Sequence, residues 1–301
     1  MKGQQETYYS YGNVYQSTAE VFYPQTLDEL RAVLEYCKTA GRKITVAGSF
    51  HSFDRQNASR DVVISMRHFD AVTCDPDRGI VTTGAGASWG KIFEITQRHH
   101  CLLYTCITGS APTAGGTLSI NSYSIWSPGV GREGQHCLAF RLMTTAGVVL
   151  NCSRSENEAL FRGVIGGMGF LGFIVEITYR VLSVGSPLQI EMEIVDYDDI
   201  NHIEQRLSQR QVPDLSQLDN IQSQTTLFYH YKGKPLFLVS THRYKRVSSN
   251  KKCRKMAFAG AVLACGLIRT FPSLINKIIY KDRGKAAPQR SIFKNLQYRR
   301  D

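Results

Sequence analysis

A mixed α+β architecture is what this 301-residue sequence predicts. Three observations carry that expectation: a helix-period apolar pattern from Thr26 to Ala40, short apolar strand-like runs beside glycine turns, and a loose repeat of the strand–turn–helix unit before residue 100. The alternation alone suits an α+β or an α/β domain, and α+β is the class assigned. The first helix has a Thr26/Glu29 capping box, apolar Leu27, Leu30, Val33, Leu34 and Cys37 on one face, and Gly41 as its stop. A strand over Lys43 to Ala47 follows, then a polar loop from Gly48 to Arg60, then a second strand over Val62 to Ser65. The unit repeats with a strand over Gly79 to Thr83, a glycine-rich turn from Gly84 to Gly90, and a helix from Lys91 to His100.

Further along, Arg141 to Leu150 predicts a hairpin turning at Ala146 and Gly147. Ser155 with Glu158 offers a second capping box, for a helix running through Val164. Phe173 to Leu182 alternates like a strand, and Leu188 to Val195 is strand-like again. The texture changes after Gly185 and Pro187, which places a domain boundary near residue 185.

Hydrophobic residues make up 43% and aromatics 10%, enough for a packed core. The net charge of +11 is uneven: residues 242–301 hold sixteen Lys and Arg against two Asp, so the excess there is 16 − 2 = +14 and the rest of the chain is near −3. The eight cysteines form no CxxC pair, so no metal site is expected, and reduced thiols suit a cytoplasmic setting. The first residues lack the apolar core of a secretory signal, and no stretch reaches the roughly 18 to 20 apolar residues that span a bilayer.

Three segments could carry chemistry. Ala47-Gly48-Ser49-Phe50-His51-Ser52-Phe53-Asp54-Arg55-Gln56 follows a strand, and small residues there let backbone N–H groups approach a pyrophosphate; an ordinary polar turn with a surface histidine reads the same way. Thr113-Ala114-Gly115-Gly116-Thr117-Leu118-Ser119-Ile120-Asn121-Ser122 combines two glycines with four hydroxyls, a pattern that a plain turn also shares. Gly167-Met168-Gly169-Phe170-Leu171-Gly172 satisfies GxGxxG literally, but it follows a helix and precedes a strand, the reverse of a dinucleotide fingerprint. No P-loop and no GxSxG elbow occurs, and His99 and His100 lack partners at metal-ligand spacing, so nucleophilic hydrolysis and metal catalysis are set aside. No catalytic acid or base is assigned.

In order along the chain, Tyr23-Pro24-Gln25-Thr26, the Gly48 to Gln56 loop, Gly84-Ala85-Gly86-Ala87, Gly115-Gly116-Thr117-Leu118 and the stretch from Glu158 to Glu176 resemble an FAD-binding domain of the vanillyl-alcohol oxidase/p-cresol methylhydroxylase type. The resemblance covers about residues 20–184 and is nearest in texture to the sugar-lactone and alditol oxidases and the cytokinin dehydrogenases. It implies a two-subdomain FAD-binding domain over residues 1–184 and an incomplete substrate domain over 185–301. It also implies FAD as cofactor, with Gly48, Ser49, Phe50 and Ser52 around the pyrophosphate and His51 bonded to the flavin. Gln56 sits as in the dehydrogenases, Thr113, Gly116 and Ser119 approach the cofactor, and the backbone at Phe173 or Ile174 meets the adenine side. A flavin held without a covalent bond, with His51 lining the loop, remains the other reading. An imidazole bond withdraws electrons from the flavin and raises its potential, which suits hydride removal from a CH–OH carbon of a sugar, alditol or lactone-like small molecule. The electron acceptor implied is oxygen or a quinone-like carrier.

Members of that family run longer than this chain, and the segments that supply a substrate base fall beyond what can be read. A non-catalytic flavin-binding or partner-dependent chain is therefore the second expectation. The basic runs Arg243–Arg246 and Lys251–Lys255 precede a charge-free apolar run from Met256 to Ile268, a length that suits an interfacial helix on an anionic membrane as well as a core helix. Peripheral membrane contact through 243–268 is one expectation, and no nucleic-acid partner is expected, since no recognition fold accompanies the charge.

Overall fold

The computed structural model describes residues 3–11, 15–105, 107, 109–124, 126–185, 188–197, 201, 204–205, 222–231 and 234–246. The chain divides into two compact units after Gly185.

The first unit begins with a four-stranded sheet built from β1 (Gln4–Tyr9), β2 (Gln16–Phe22), β3 (Ile44–Ala47) and β4 (Val62–Ser65), in the order β1-β2-β4-β3. β1 is antiparallel to β2, while β2 and β3 both run parallel to β4. Helix α1 (Leu27–Thr39) connects β2 to β3. The Thr26 side chain accepts from the Glu29 N–H at 3.1 Å, while the Glu29 carboxylate reaches the Gln25 N–H at 2.7 Å, one residue further out than a standard capping box. The helix stops where Gly41 takes φ +63°, a left-handed conformation that glycine tolerates.

Four buried residues of α1 (Leu30, Val33, Leu34 and Cys37) pack on Phe22, Val62 and Ile64 below and on Met143, Phe173 and Val175 from the second sheet. Val63 alternates to the opposite face of β4 and joins Tyr8, Ala19, Val21 and Ala47. With both faces covered, every residue of β4 is buried, which is why it reads as an unbroken apolar run.

The second sheet is antiparallel: β5 (Val72–Asp75), β6 (Ile80–Gly84), β10 (Phe173–Ser183), β8 (Cys137–Met143) and β9 (Val149–Ser153), in the order β5-β6-β10-β8-β9. The short β7 (Cys101–Leu103) pairs with the end of β10. Helices α2 (Trp89–Arg98), α3 (Ala114–Leu118), α4 (Ser127–Val130), α5 (Glu133–His136) and α6 (Glu158–Val164) accompany it. Its core joins Trp89 and Ile92 of α2, Ala114 and Leu118 of α3, Phe140 and Leu142 of β8, Phe161 of α6 and Ile174, Ile177 and Tyr179 of β10. The second unit contains a three-stranded antiparallel sheet of β11 (Leu188–Tyr197), β13 (Lys234–Arg246) and β12 (Gln222–Tyr231), with β13 in the centre.

The mixed α and β content agrees with the sequence, and several details differ from it. Helix α2 starts at Trp89, not Lys91, because the Ser88 hydroxyl accepts from the Lys91 N–H at 3.3 Å and so caps a helix that begins two residues earlier, and it ends at Arg98 rather than His100. No Ser155/Glu158 box forms: Asn157, at φ +49°, precedes α6, the Ser153 hydroxyl collects the N–H groups of Ser155 and Glu156, and Glu158 instead bonds Arg162 at 2.8 Å. The hairpin strands reach back to Cys137 and on to Ser153, around a turn closed by Thr144 N–H to Val148 O at 2.9 Å. Arg243–Arg246 ends β13 as paired strand. The basic run 251–255 and the apolar run 256–268 lie outside the described residues. Among the described residues, no helix is long and apolar enough to cross a membrane.

Candidate functional site

The loop from Gly48 to Gln56 leaves the carboxyl end of β3, where parallel strands commonly receive ligands. Ser65 at the end of β4 donates to Gly48 O at 3.1 Å and fixes the start of the turn. A Cβ on Gly48 would stand 2.1 Å from Thr113 Oγ1, so only glycine lets this loop touch the segment that leads into α3. The Ser49 hydroxyl ties the same two segments by donating to Ala111 O at 2.7 Å. Phe50 turns the chain with φ +59°, and its ring packs on Tyr8 at 4.7 Å. The N–H groups of Ser49, Phe50, His51 and Ser52 donate to no acceptor among the described residues. Four successive donors without a protein acceptor, beside a glycine held against its neighbour, fit a pyrophosphate bound by backbone.

His51 is half-buried, with Nδ1 3.1 Å from Ser49 O. A carbonyl can only accept, so Nδ1 carries the proton in this arrangement. Gln56 is the outlier of the set, for its side chain accepts from the Asp54 N–H at 3.1 Å and is spent on its own exposed 3-10 turn, Arg55–Asn57.

The second segment forms a short helix rather than an open loop. Thr113 caps α3 by accepting from the Gly116 N–H at 3.4 Å, and Gly116 is exposed on the first turn. Ser119 closes the helix, its hydroxyl donating to Gly115 O at 2.7 Å and its carbonyl accepting from the Met168 N–H at 2.8 Å. The GxGxxG stretch therefore packs against α3 instead of opening a helix of its own. Gly169, at φ +81°, sits where a Cβ would lie 2.5 Å from Val46 of β3, so this loop also reaches the first sheet. Phe173 and Ile174 begin β10 opposite Met143 and Leu142, and their side chains belong to two different cores: Phe173 faces α1, and Ile174 faces Ala114 and Leu118. Only their backbone could serve a ligand. The structure thus gathers Gly48, Ser49, Thr113, Ser119 and the approach to Phe173 around the end of β3 and leaves Gln56 engaged elsewhere.

A polar cluster that sequence reasoning passed over lies beneath α3. Glu133 is fully buried, and it accepts from Thr117 Oγ1 at 3.0 Å, Ser122 Oγ at 2.6 Å and Tyr179 OH at 2.5 Å. Trp89 Nε1 donates to the same Thr117 hydroxyl at 2.9 Å. Burial pushes the Glu133 carboxyl up to about 7, against the pull of the Ser122, Tyr179 and Thr117 hydroxyls. One turn on, buried His136 donates from Nε2 to Val130 O at 2.7 Å and accepts from Arg180 Nε at 2.9 Å, and burial lowers it to about 4. Its ring stacks on Tyr104 at 4.7 Å. Nothing in the local sequence Gly131-Arg132-Glu133-Gly134 marks this acid as buried, because its partners come from distant segments.

A glycine-shaped loop at the carboxyl end of β3, with backbone donors left over, is an arrangement that suits a phosphate-bearing cofactor. Residues 18–153 match the family model described as an FAD binding domain. That match covers a little under half of the chain, and proteins similar to it over the same stretch are named as FAD-linked oxidoreductases, lactone oxidases and cytokinin dehydrogenases. The chain is similar to an uncharacterized oxidoreductase, ORF5 in the fasciation locus of Rhodococcoides fascians, at 30% identity over 162 residues, covering 54% of this chain and 37% of that protein. It is also similar to the D-arabinono-1,4-lactone oxidase of Yarrowia lipolytica, at 29% over 166 residues (54% and 31%), and to cytokinin dehydrogenase 5 of Arabidopsis thaliana, at 28% over 162 residues (51% and 30%). The matched stretch spans about a third of the length of these relatives.

Proposed function

We propose that this chain is an FAD-dependent oxidase or dehydrogenase that takes hydride from a CH–OH carbon of a sugar, alditol or lactone-like substrate. The observation that carries the reading is the run of backbone donors from Ser49 to Ser52, beside Gly48 seated on Thr113, within residues that match an FAD binding domain. The bound flavin supplies the hydride acceptor. The chain's own residues hold it: Gly48, Ser49, Phe50 and Ser52 take the pyrophosphate, Thr113, Gly116 and Ser119 line the approach, the backbone at Phe173 or Ile174 meets the adenine side, and His51 is the attachment point. Relatives named as lactone oxidases support the donor class. In this reading residues 1–184 are the FAD-binding domain and 185–301 a partial substrate domain. The acceptor is oxygen or a quinone-like carrier, and the chain works in the cytoplasm with peripheral membrane contact through 243–268.

An absorbance spectrum before and after acid precipitation tests the proposal. Yellow colour retained in the pellet, and lost from the pellet but not from the native His51→Ala protein, is the expected result; flavin that stays acid-stable in His51→Ala would remove His51 from its role. A purified chain that takes up no flavin at all would sink the whole reading. The second reading is a flavin-binding chain without independent catalysis. Steady turnover of any alcohol substrate by the chain alone excludes that reading, whereas flavin bleaching only after a second chain is added supports it.

A further inference from the structure

The family match begins at residue 18, yet the residues just before it are wrapped around the His51 loop. Tyr8 packs on Phe50 at 4.7 Å, and its hydroxyl donates to Asn57 O at 2.9 Å and accepts from the Ser59 N–H at 3.0 Å. Tyr11 N–H donates to Ser52 O at 2.8 Å. The Tyr11 ring lies 5.3 Å from the His51 imidazole and 5.1 Å from Phe53. At the far side of the turn, Tyr15 lies under the Arg55 guanidinium at 4.8 Å. Three tyrosines from one hairpin thus grip residues 50 to 59. Two of the contacts, one backbone and one ring, flank His51 directly.

We propose that Tyr11 is a positioning residue of the flavin site: its ring fixes the plane of the His51 imidazole and its N–H fixes the loop at Ser52, so that the hairpin acts as a clasp on the cofactor loop. The inference rests on the flavin reading above. Physically, an imidazole on a loop tip that is held only through Nδ1, by the carbonyl and hydroxyl of Ser49 two residues back, keeps freedom about its side-chain torsions. A neighbouring aromatic face removes part of that freedom before the ligand arrives. Tyr11 is half-exposed, so its ring is not needed to fill a core.

The test uses the full chain and three proteins, wild type, Tyr11→Phe and Tyr11→Ala, with FAD as the probe. Long-range proton–nitrogen correlation spectra of the histidine rings, with the His51 signal assigned by its loss in His51→Ala, report the imidazole without any flavin. FAD titrations followed by flavin fluorescence report the site. The expected result is a displaced His51 ring signal and about tenfold weaker FAD binding in Tyr11→Ala, roughly 1.4 kcal/mol, with Tyr11→Phe like wild type in both. An unmoved ring signal in Tyr11→Ala overturns the clasp, and so does a moved signal with unchanged FAD affinity. Failure of the flavin reading shows elsewhere, as a wild-type chain that binds no FAD, and it takes the clasp's purpose with it.

Discussion

The loop at residues 48–52 and the cluster around Glu133 use nearly the same alphabet of Ser, Thr, Tyr, Gly and a histidine close by, and they end in opposite states. Around Glu133 each hydroxyl is directed inward, onto a carboxylate that water does not reach. Along Ser49 to Ser52 four backbone donors have no acceptor among the described residues. Polar groups that satisfy one another hold a fold together, and polar groups arranged around nothing of their own are what a ligand can use. That contrast gives the Glu133 cluster a structural role and leaves the Ser49–Ser52 donors open to a ligand, although a list of residue types would rank Glu133 and His136 as the better catalytic candidates.

The largest test of the contrast is Glu133→Ala. It removes the acceptor of the buried Tyr179 hydroxyl and of the half-buried Ser122 hydroxyl, and unsatisfied buried groups at about 1–3 kcal/mol each make a loss of about 3 kcal/mol the expected outcome in urea unfolding. Any chain that remains folded should still bind FAD. A stable variant that has lost FAD binding would move Glu133 into the binding site.

A pH series sharpens the same point. The Glu133 carboxyl titrates near 7 when folded, above its ordinary 4.5, so the folded chain holds a proton that the unfolded chain has released, and stability from this group falls as pH rises between those values. His136 titrates near 4, below its ordinary 6.5, so the unfolded chain takes up a proton first and stability from this group is lost as pH falls through that window. The two oppose each other between about 4.5 and 6.5. Glu133→Gln should therefore leave a protein whose unfolding free energy rises with pH across that interval, and a curve identical to wild type would show that Glu133 does not titrate there.

Gly48→Ala is a smaller blow to the fold and a sharper one to the site. The new methyl meets Thr113 Oγ1 at 2.1 Å, and separating the two segments should cost about 1–3 kcal/mol of stability with a larger proportional loss in FAD affinity. Gln56→Ala is the least disruptive, with stability within about 0.5 kcal/mol of wild type and FAD binding unchanged, because its side chain is engaged on its own exposed turn. A marked loss of FAD binding there would restore Gln56 to the cofactor set.

What could be read from the sequence was local. Thr26, Glu29 and Gly41 delimit α1 within their own turns, and Val62 to Ser65 reads as a buried strand because both its faces are covered. The N-terminal hairpin was missed because β1 exposes most of its polar and tyrosine side chains and offers little apolar alternation. Ser155 looked like a cap by spacing, but Ser153 lay nearer to the donors. In the site, the Gly48 loop could be recognised as a run of small residues, whereas the burial of Glu133 could not: its partners lie at 117, 122 and 179, and no pattern within one segment announces a carboxylate surrounded by hydroxyls.

The placement of β10 has a consequence for biosynthesis. It is the last strand of the first unit to be translated and occupies the middle of its sheet, between β6 and β8, while the loop just ahead of it braces both Ser119 and Val46. Once residue 165 has been added, the Gly48 loop and α3 have been made but this brace has not, and the growing sheet still lacks its central member. Until residues 173–183 have emerged, β6 and β8 lack the strand that pairs with both and present open edges that a chaperone would have reason to cover.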